Sequence, residues 1–330
     1  MPTLKTVGRT VAFVTTELRG FFPVLLTPLH QNRKQDLESL RQLVSYYERA
    51  GVHGFVALGE VSESAKLTES ERRQNLSTVM EMVRRRLPVV VGASRESTEL
   101  AVEAARWAES EGASAVMLAP PKNVQLRDRA IFEHYETVAD SIKLPIVVQD
   151  EPEGGHPYMS PELLAKINLE IGRAEYIKLE DAPTPDKVGK VSELTEGRAK
   201  VFGASHGKGY LWEMDRGAVG IMTASPTPEY FVAIWNALQR GKRELAAEVF
   251  FYNLPLIHFY SELAIAVKKE VLVQRGVIKT SKVKQPGREL GEREQRELSE
   301  LLRWVEANVE RVASITPLHW KQVASTTRRL

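Results

Sequence analysis

Two short stretches place reactive side chains where apolar runs end. In VVQDEP, residues 147–152, two valines give way to Gln149, Asp150 and Glu151 before a proline. In YIKLED, residues 176–181, Lys178 lies inside the apolar run, with Glu180 and Asp181 just beyond it. Burial penalises an ammonium, so a lysine in a buried strand is driven toward the free amine, which attacks carbonyl carbon. A carboxylate in a partly dry site has its pKa raised toward neutrality and can move protons. Together these groups point to imine chemistry on a keto compound. The competing reading of the same residues is a purely structural ion pair between Lys178 and Glu180.

The elements that must hold these groups repeat along the chain. Short runs rich in Val, Ile or Leu occupy 21–26, 54–59, 88–94, 115–120, 145–148, 175–179, 199–204 and 219–224. Their length and continuity fit parallel strands covered on both faces. Amphipathic stretches fall between them at 36–51, 68–86, 97–113, 128–142, 160–172 and 184–197. The first ends on Gly51, and the second opens with the Thr68–Glu71 capping-box spacing. Eight strands alternating with helices predict an α/β chain folded as a (β/α)8 TIM barrel. A doubly wound sheet would want a glycine-rich loop after the first strand, and LLTPLHQNRKQD has no glycine. The pattern predicts an N-terminal extension over 1–18 and a barrel core over 19–226. A last barrel helix with a helical C-terminal domain follows over 227–312, then a basic tail over 313–330.

Composition narrows the function. A net charge of +2 implies no strong attraction to nucleic acid or to an anionic membrane. The absence of cysteine excludes disulfides, thiolate metal sites and cysteine nucleophiles. No apolar run reaches the roughly 18–20 residues of a membrane span. The expected location is cytoplasmic, and the expected partner is a small molecule.

In a TIM barrel, chemistry gathers at the C-terminal strand ends. Those ends supply Thr27, Gly59, Glu60, Ser62 and Glu63, then Lys122, Gln149, Asp150 and Glu151, then Lys178, Glu180, Asp181, His206 and Thr223. Their motifs resemble the dihydrodipicolinate synthase / N-acetylneuraminate lyase family of Schiff-base barrel enzymes across about residues 19–312. GFFPVLLTPL (20–29), LGEVSESAKLTESER (58–72), YIKLED and GAVGIMTAS (217–225) resemble its first-, second-, sixth- and eighth-strand signatures.

The resemblance implies that Lys178 is the Schiff-base lysine, that no cofactor is needed and that the chain forms a homo-oligomer, dimer or tetramer. The departures are specific. Glu60 and Val61 stand where the family has two hydroxyl residues, and Ser62 stands for its glycine. Pro121 and Lys122 replace a tyrosine pair. Gln149 takes the place of the proton-relay tyrosine, and the substrate-clamping arginine would fall near Gly154. The expectation is therefore a class I lyase of aldolase or dehydratase type, acting on a pyruvate-like 2-oxo acid or sugar acid. It is not a strict dihydrodipicolinate synthase. An amide has no useful pKa, so a carboxylate must replace the tyrosine: Glu60 by first choice, with Asp150, Glu151 and Glu180 as the others. Thr27, Ser62, Glu63, Asp150, Glu180 and Thr223 are expected to bind substrate, with its carboxylate on backbone N–H groups around Ser62–Ser64. The alternatives are a metal-dependent lyase using the acidic rim, and a family member that binds a metabolite without turnover.

Overall fold

The computed structural model describes residues 17–122 and 125–307; nearly all of the expected extension and all of the tail lie outside them. Eight parallel strands form one sheet: β1 (Gly20–Pro23), β2 (Phe55–Ala57), β3 (Val89–Gly92), β4 (Ala115–Leu118), β5 (Ile146–Asp150), β6 (Tyr176–Leu179), β7 (Lys200–Gly203) and β8 (Gly220–Thr223). The strand order runs β1-β8-β7-β6-β5-β4-β3-β2. A Val24–Val56 bridge and the Leu25 N–H to Val56 carbonyl bond (2.8 Å) bring β1 beside β2, so the sheet curls into a barrel.

The helices are α1 (Leu37–Ala50), α2 (Glu69–Val83), α3 (Thr98–Ser110), α4 (Asp128–Ser141), α5 (Pro161–Glu170), α6 (Thr184–Leu194), α7 (Tyr210–Asp215), α8 (Pro228–Gln239), α9 (Arg243–Gln274) and α10 (Glu292–Glu306). Asp36 caps α1 by accepting the Ser39 N–H, and Gly51 ends it at φ 83. Both halves of the Thr68–Glu71 capping box form at the start of α2. The short α7 was not legible from periodicity, since six residues hold fewer than two turns.

Strand alternation sorts the side chains. On β1, Phe21 stacks on Phe231 of α8, whereas Phe22 points inward to meet Phe202 edge to face at 5.5 Å. Tyr176 packs near Phe202 in the same interior. Lys178, two residues on, faces the way Tyr176 does, and Gln149 is its register partner on β5. An aromatic floor therefore lies beneath Lys178. Beyond the barrel, Arg275 ties the C-terminal helices down. Its guanidinium donates to the Tyr46 hydroxyl and the Glu229 carboxylate, both at 2.7 Å, and to Glu306 at 3.0 Å.

Candidate functional site

A narrow cavity of about 80 Å3 opens at the C-terminal strand ends. Glu60, Gln149, Glu151, Lys178, Glu180 and Thr223 line it, joined by His206 and Lys268. A larger cleft, about 610 Å3, lies between α9 and α10. Charged residues line that cleft, but none of the strand-tip groups reaches it.

The chain Lys178–Leu179–Glu180 turns inward, outward and inward again. Lys178 Nζ and Glu180 Oε1 consequently meet at 2.6 Å, with the lysine side chain 6% exposed. Gln149 Nε2 donates to Glu180 Oε1 at 2.9 Å and to Glu151 Oε2 at 3.1 Å. The amide thus clamps two carboxyls around the lysine, and the pairing that sequence offered as a structural alternative lies within the cavity itself.

Glu151 and Glu60 hydrogen-bond to one another, which requires a proton between them. Burial first, then the Glu180 charge and the bond to Glu60, push the Glu151 carboxyl well above the usual range. Burial also works to raise Glu60, but hydrogen bonds from His156, Glu151 and Lys122 outweigh it and hold Glu60 low. The two carboxyls are pushed in opposite directions, Glu151 up and Glu60 down, so a single proton between them favours Glu151. Lys122 donates to Glu60 and to the Gly154 carbonyl (2.8 Å). His156 lies 2.6 Å from the Pro120 carbonyl through Nδ1 and 3.1 Å from Glu60 through Nε2.

The other expected residues have different surroundings. Asp150 follows Gln149 and so faces outward, where it pairs with Lys187 at 2.7 Å; Asp181 pairs with the same lysine at 2.8 Å. Glu63 turns away from the cavity into a buried pair with Lys269 at 2.5 Å and accepts the Lys284 N–H at 2.6 Å. Thr27 Oγ1 donates to the Ser62 carbonyl (2.6 Å), and Ser62 Oγ donates to the Leu25 carbonyl (2.5 Å). These two hydroxyls lock the first and second strand loops together and do not line the cavity. Two N–H groups of the expected carboxylate cradle are engaged: those of Ser62 and Glu63 bond to the carbonyls of Gly59 and Glu60. Thr223, by contrast, does line the cavity.

The acidic rim expected for a metal site is split. Asp150 and Asp181 face Lys187, and His206 faces Lys268. Glu60, Glu151 and His156 do bring ligand atoms within 4.8 Å of one another. The Lys122 ammonium already contacts that cluster, and one shared proton satisfies its two carboxyls, so the residues fit a cation poorly.

His156, which bonds to Glu60 from behind the cavity wall, and the lining residue Lys268 escaped sequence reasoning. His156 lies in the loop EGGHPYM, without a strand tip to mark it. Lys268 left a signal: it falls four residues before Leu272 and eight after Tyr260, on an apolar helical stripe.

The chain matches the model of the dihydrodipicolinate synthetase family over residues 17–305. It is 32% identical over 284 residues to an L-2-keto-3-deoxyarabonate dehydratase from Azospirillum brasilense, covering 84% of this chain and 91% of that protein. It is 28% identical to a 4-hydroxy-tetrahydrodipicolinate synthase from Methanopyrus kandleri, covering 73% and 80%. Among solved structures, a dihydrodipicolinate synthase from Thermotoga maritima superimposes with a TM-score of 0.82 at 26% identity, covering 87% of this chain and 98% of that one.

Proposed function

Since the chain belongs to the dihydrodipicolinate synthetase family, we propose that it is a Schiff-base dehydratase acting on a 2-oxo-3-deoxy sugar acid, with Lys178 as nucleophile and Glu151 as acid. One observation carries the reading: Lys178, Glu180, Gln149 and Glu151 form a continuous chain of contacts, at the end of which burial and the Glu180 charge raise the Glu151 carboxyl toward its acid form. The similarity to a dehydratase of a keto-deoxy sugar acid supports it.

Glu180 takes the proton that Lys178 must lose before attack. The amine adds to the keto carbon, the proton returns to the departing hydroxyl, and water leaves to give the iminium. The iminium draws electrons from the neighbouring carbon, so Glu180 can remove a proton there. The electron pair then expels the hydroxyl one carbon further on, and Glu151 protonates it as it leaves. Water releases the unsaturated product and frees Lys178. One water is lost overall. An aldolase would need a base to deprotonate that same hydroxyl, and a protonated Glu151 cannot serve as one. The acid state of Glu151 therefore favours dehydration over carbon–carbon cleavage. Gln149 exchanges no proton; it sets the two carboxyls at the positions from which they act. The homo-oligomer implied by the family resemblance is part of the proposal, and light scattering decides it.

Borohydride trapping tests the reading. The protein is incubated with a panel of 2-oxo acids and 2-oxo-3-deoxy sugar acids, reduced and mapped by peptide mass. The expected result is an adduct on Lys178 and, without reductant, a product lighter by one water. An adduct elsewhere, no adduct with any 2-oxo acid, or release of pyruvate from the sugar acids would overturn it.

A further inference from the structure

Among the described residues, one buried cation at the cavity has no carboxylate in contact with it. Lys178 faces Glu180, and Lys122 and His156 both face Glu60. Lys268 is fully buried on α9 and lines the same cavity, yet among the described residues it makes no ion-pair contact with a carboxylate. Its hydrogen-bond partner is His206 Nδ1, at 2.9 Å.

That histidine cannot neutralise the lysine. Burial, then the charges of Lys268, Lys208 and Lys178, lower the His206 pKa to about 3, so the ring is neutral and accepts the bond. Ser205 and His206 are both left-handed, at φ 42 and φ 61. Two consecutive residues other than glycine in that region persist only where the surroundings impose them. The strained turn aims the imidazole at the lysine. Burial first, with Lys178 opposing and Glu180 supporting the charge, lowers Lys268 to about 7. An unpaired ammonium in a dry cavity is costly, and an anion is what would repay that cost.

We propose that the Lys268 ammonium receives the carboxylate of the 2-oxo acid whose keto carbon is captured by Lys178. The inference rests on the Schiff-base reading above and assigns the anion subsite that the engaged backbone N–H groups of Ser62 and Glu63 do not provide. One end of the acid is held by a helix outside the barrel and the reacting carbon by a strand inside it.

The test compares pyruvate with hydroxyacetone, a ketone that can form the same imine but carries no carboxylate. Half-saturating concentrations for borohydride trapping are measured for the wild type, Lys268→Met and Lys268→Arg, with circular dichroism confirming the fold. Removing one partner of a desolvated charge pair should raise the pyruvate value about 100-fold in Lys268→Met. Hydroxyacetone should shift no more than about 3-fold, and Lys268→Arg should recover part of the loss. An equal loss for both ketones, or an unchanged pyruvate value, would overturn the assignment. If the wild type traps neither compound nor any of the 2-oxo-3-deoxy sugar acids, the Schiff-base reading fails by itself. Calorimetric binding of pyruvate to the wild type and Lys268→Met then tests the anion subsite alone, and equal Kd values sink it.

Discussion

Replacing Glu151 by glutamine separates imine formation from the loss of water. The substitution keeps the shape and removes the proton. Gln149 Nε2 can still donate to the new amide oxygen at the present 3.1 Å, and the new NH2 can donate to Glu60 as the carboxylic acid does. Since burial and the Glu180 charge raise Glu151 toward its neutral form in the resting site, little charge attraction is lost. Stability should move by less than about 1 kcal/mol, the net worth of one hydrogen bond. General-acid catalysis contributes about 10²–10⁴-fold, so kcat for dehydration should fall about 1000-fold, or roughly 4 kcal/mol of barrier. Lys178 and Glu180 are untouched, so borohydride should still trap the keto acid at near wild-type yield. The assay is product formation by mass spectrometry beside trapping yield on the same preparation. A kcat within tenfold of wild type, or trapping lost in parallel with turnover, would refute the reasoning.

Other perturbations follow from the same contacts. Glu60→Gln removes a charge and a hydrogen bond that raise the Glu151 pKa, so the alkaline limb of the kcat profile should move to lower pH; an unmoved limb would argue that Glu151 is not the acid. Glu63→Ala strands the fully buried Lys269 and should cost about 3–5 kcal/mol in denaturant unfolding, whereas a loss of pyruvate affinity without a loss of stability would restore Glu63 to the substrate site. Glu213 is raised from 4.5 to about 7 by burial, with the Thr184 hydrogen bond opposing. Its contribution to stability is full below pH 4.5 and is lost as pH rises through about 7. Glu213→Gln should therefore stabilise by roughly 3 kcal/mol at pH 8 and hardly at pH 4; equal effects at both would exclude the linkage. Chelators should leave turnover unchanged, because Lys122 and a proton occupy the place a cation would take among Glu60, Glu151 and His156; activity lost to chelator and restored by a divalent metal would reverse that assignment.

The barrel was legible because buried parallel strands are short and apolar on both faces, and that pattern survives in one dimension. Lys178 was legible for the same reason: it is the charge that breaks such a run. The partition of the acids was only half visible. Alternation along β5 and β6 could have been used to send Asp150 and Asp181 outward to Lys187, but the helix carrying Lys187 had first to be placed. Which of Glu60 and Glu151 favours the shared proton depends on Lys122 and His156, which lie 62 and 96 positions from Glu60. Pair formation between Glu63 and Lys269 spans 206 positions, and nothing local announces it.

Lys268 and Lys269 are neighbours on one helix with opposite duties. One faces the cavity; the other is spent on Glu63 and the Lys282 carbonyl. A single residue turns an α-helix by about 100°, so the indexing of α9 decides which amine goes where. Deleting one residue within the helix upstream of the pair would carry Lys269 to the place of Lys268 and set Glu270 against Glu63. For this protein the length of α9 is thus part of the site's specification, and related chains should be compared there by helical phase before residue identity.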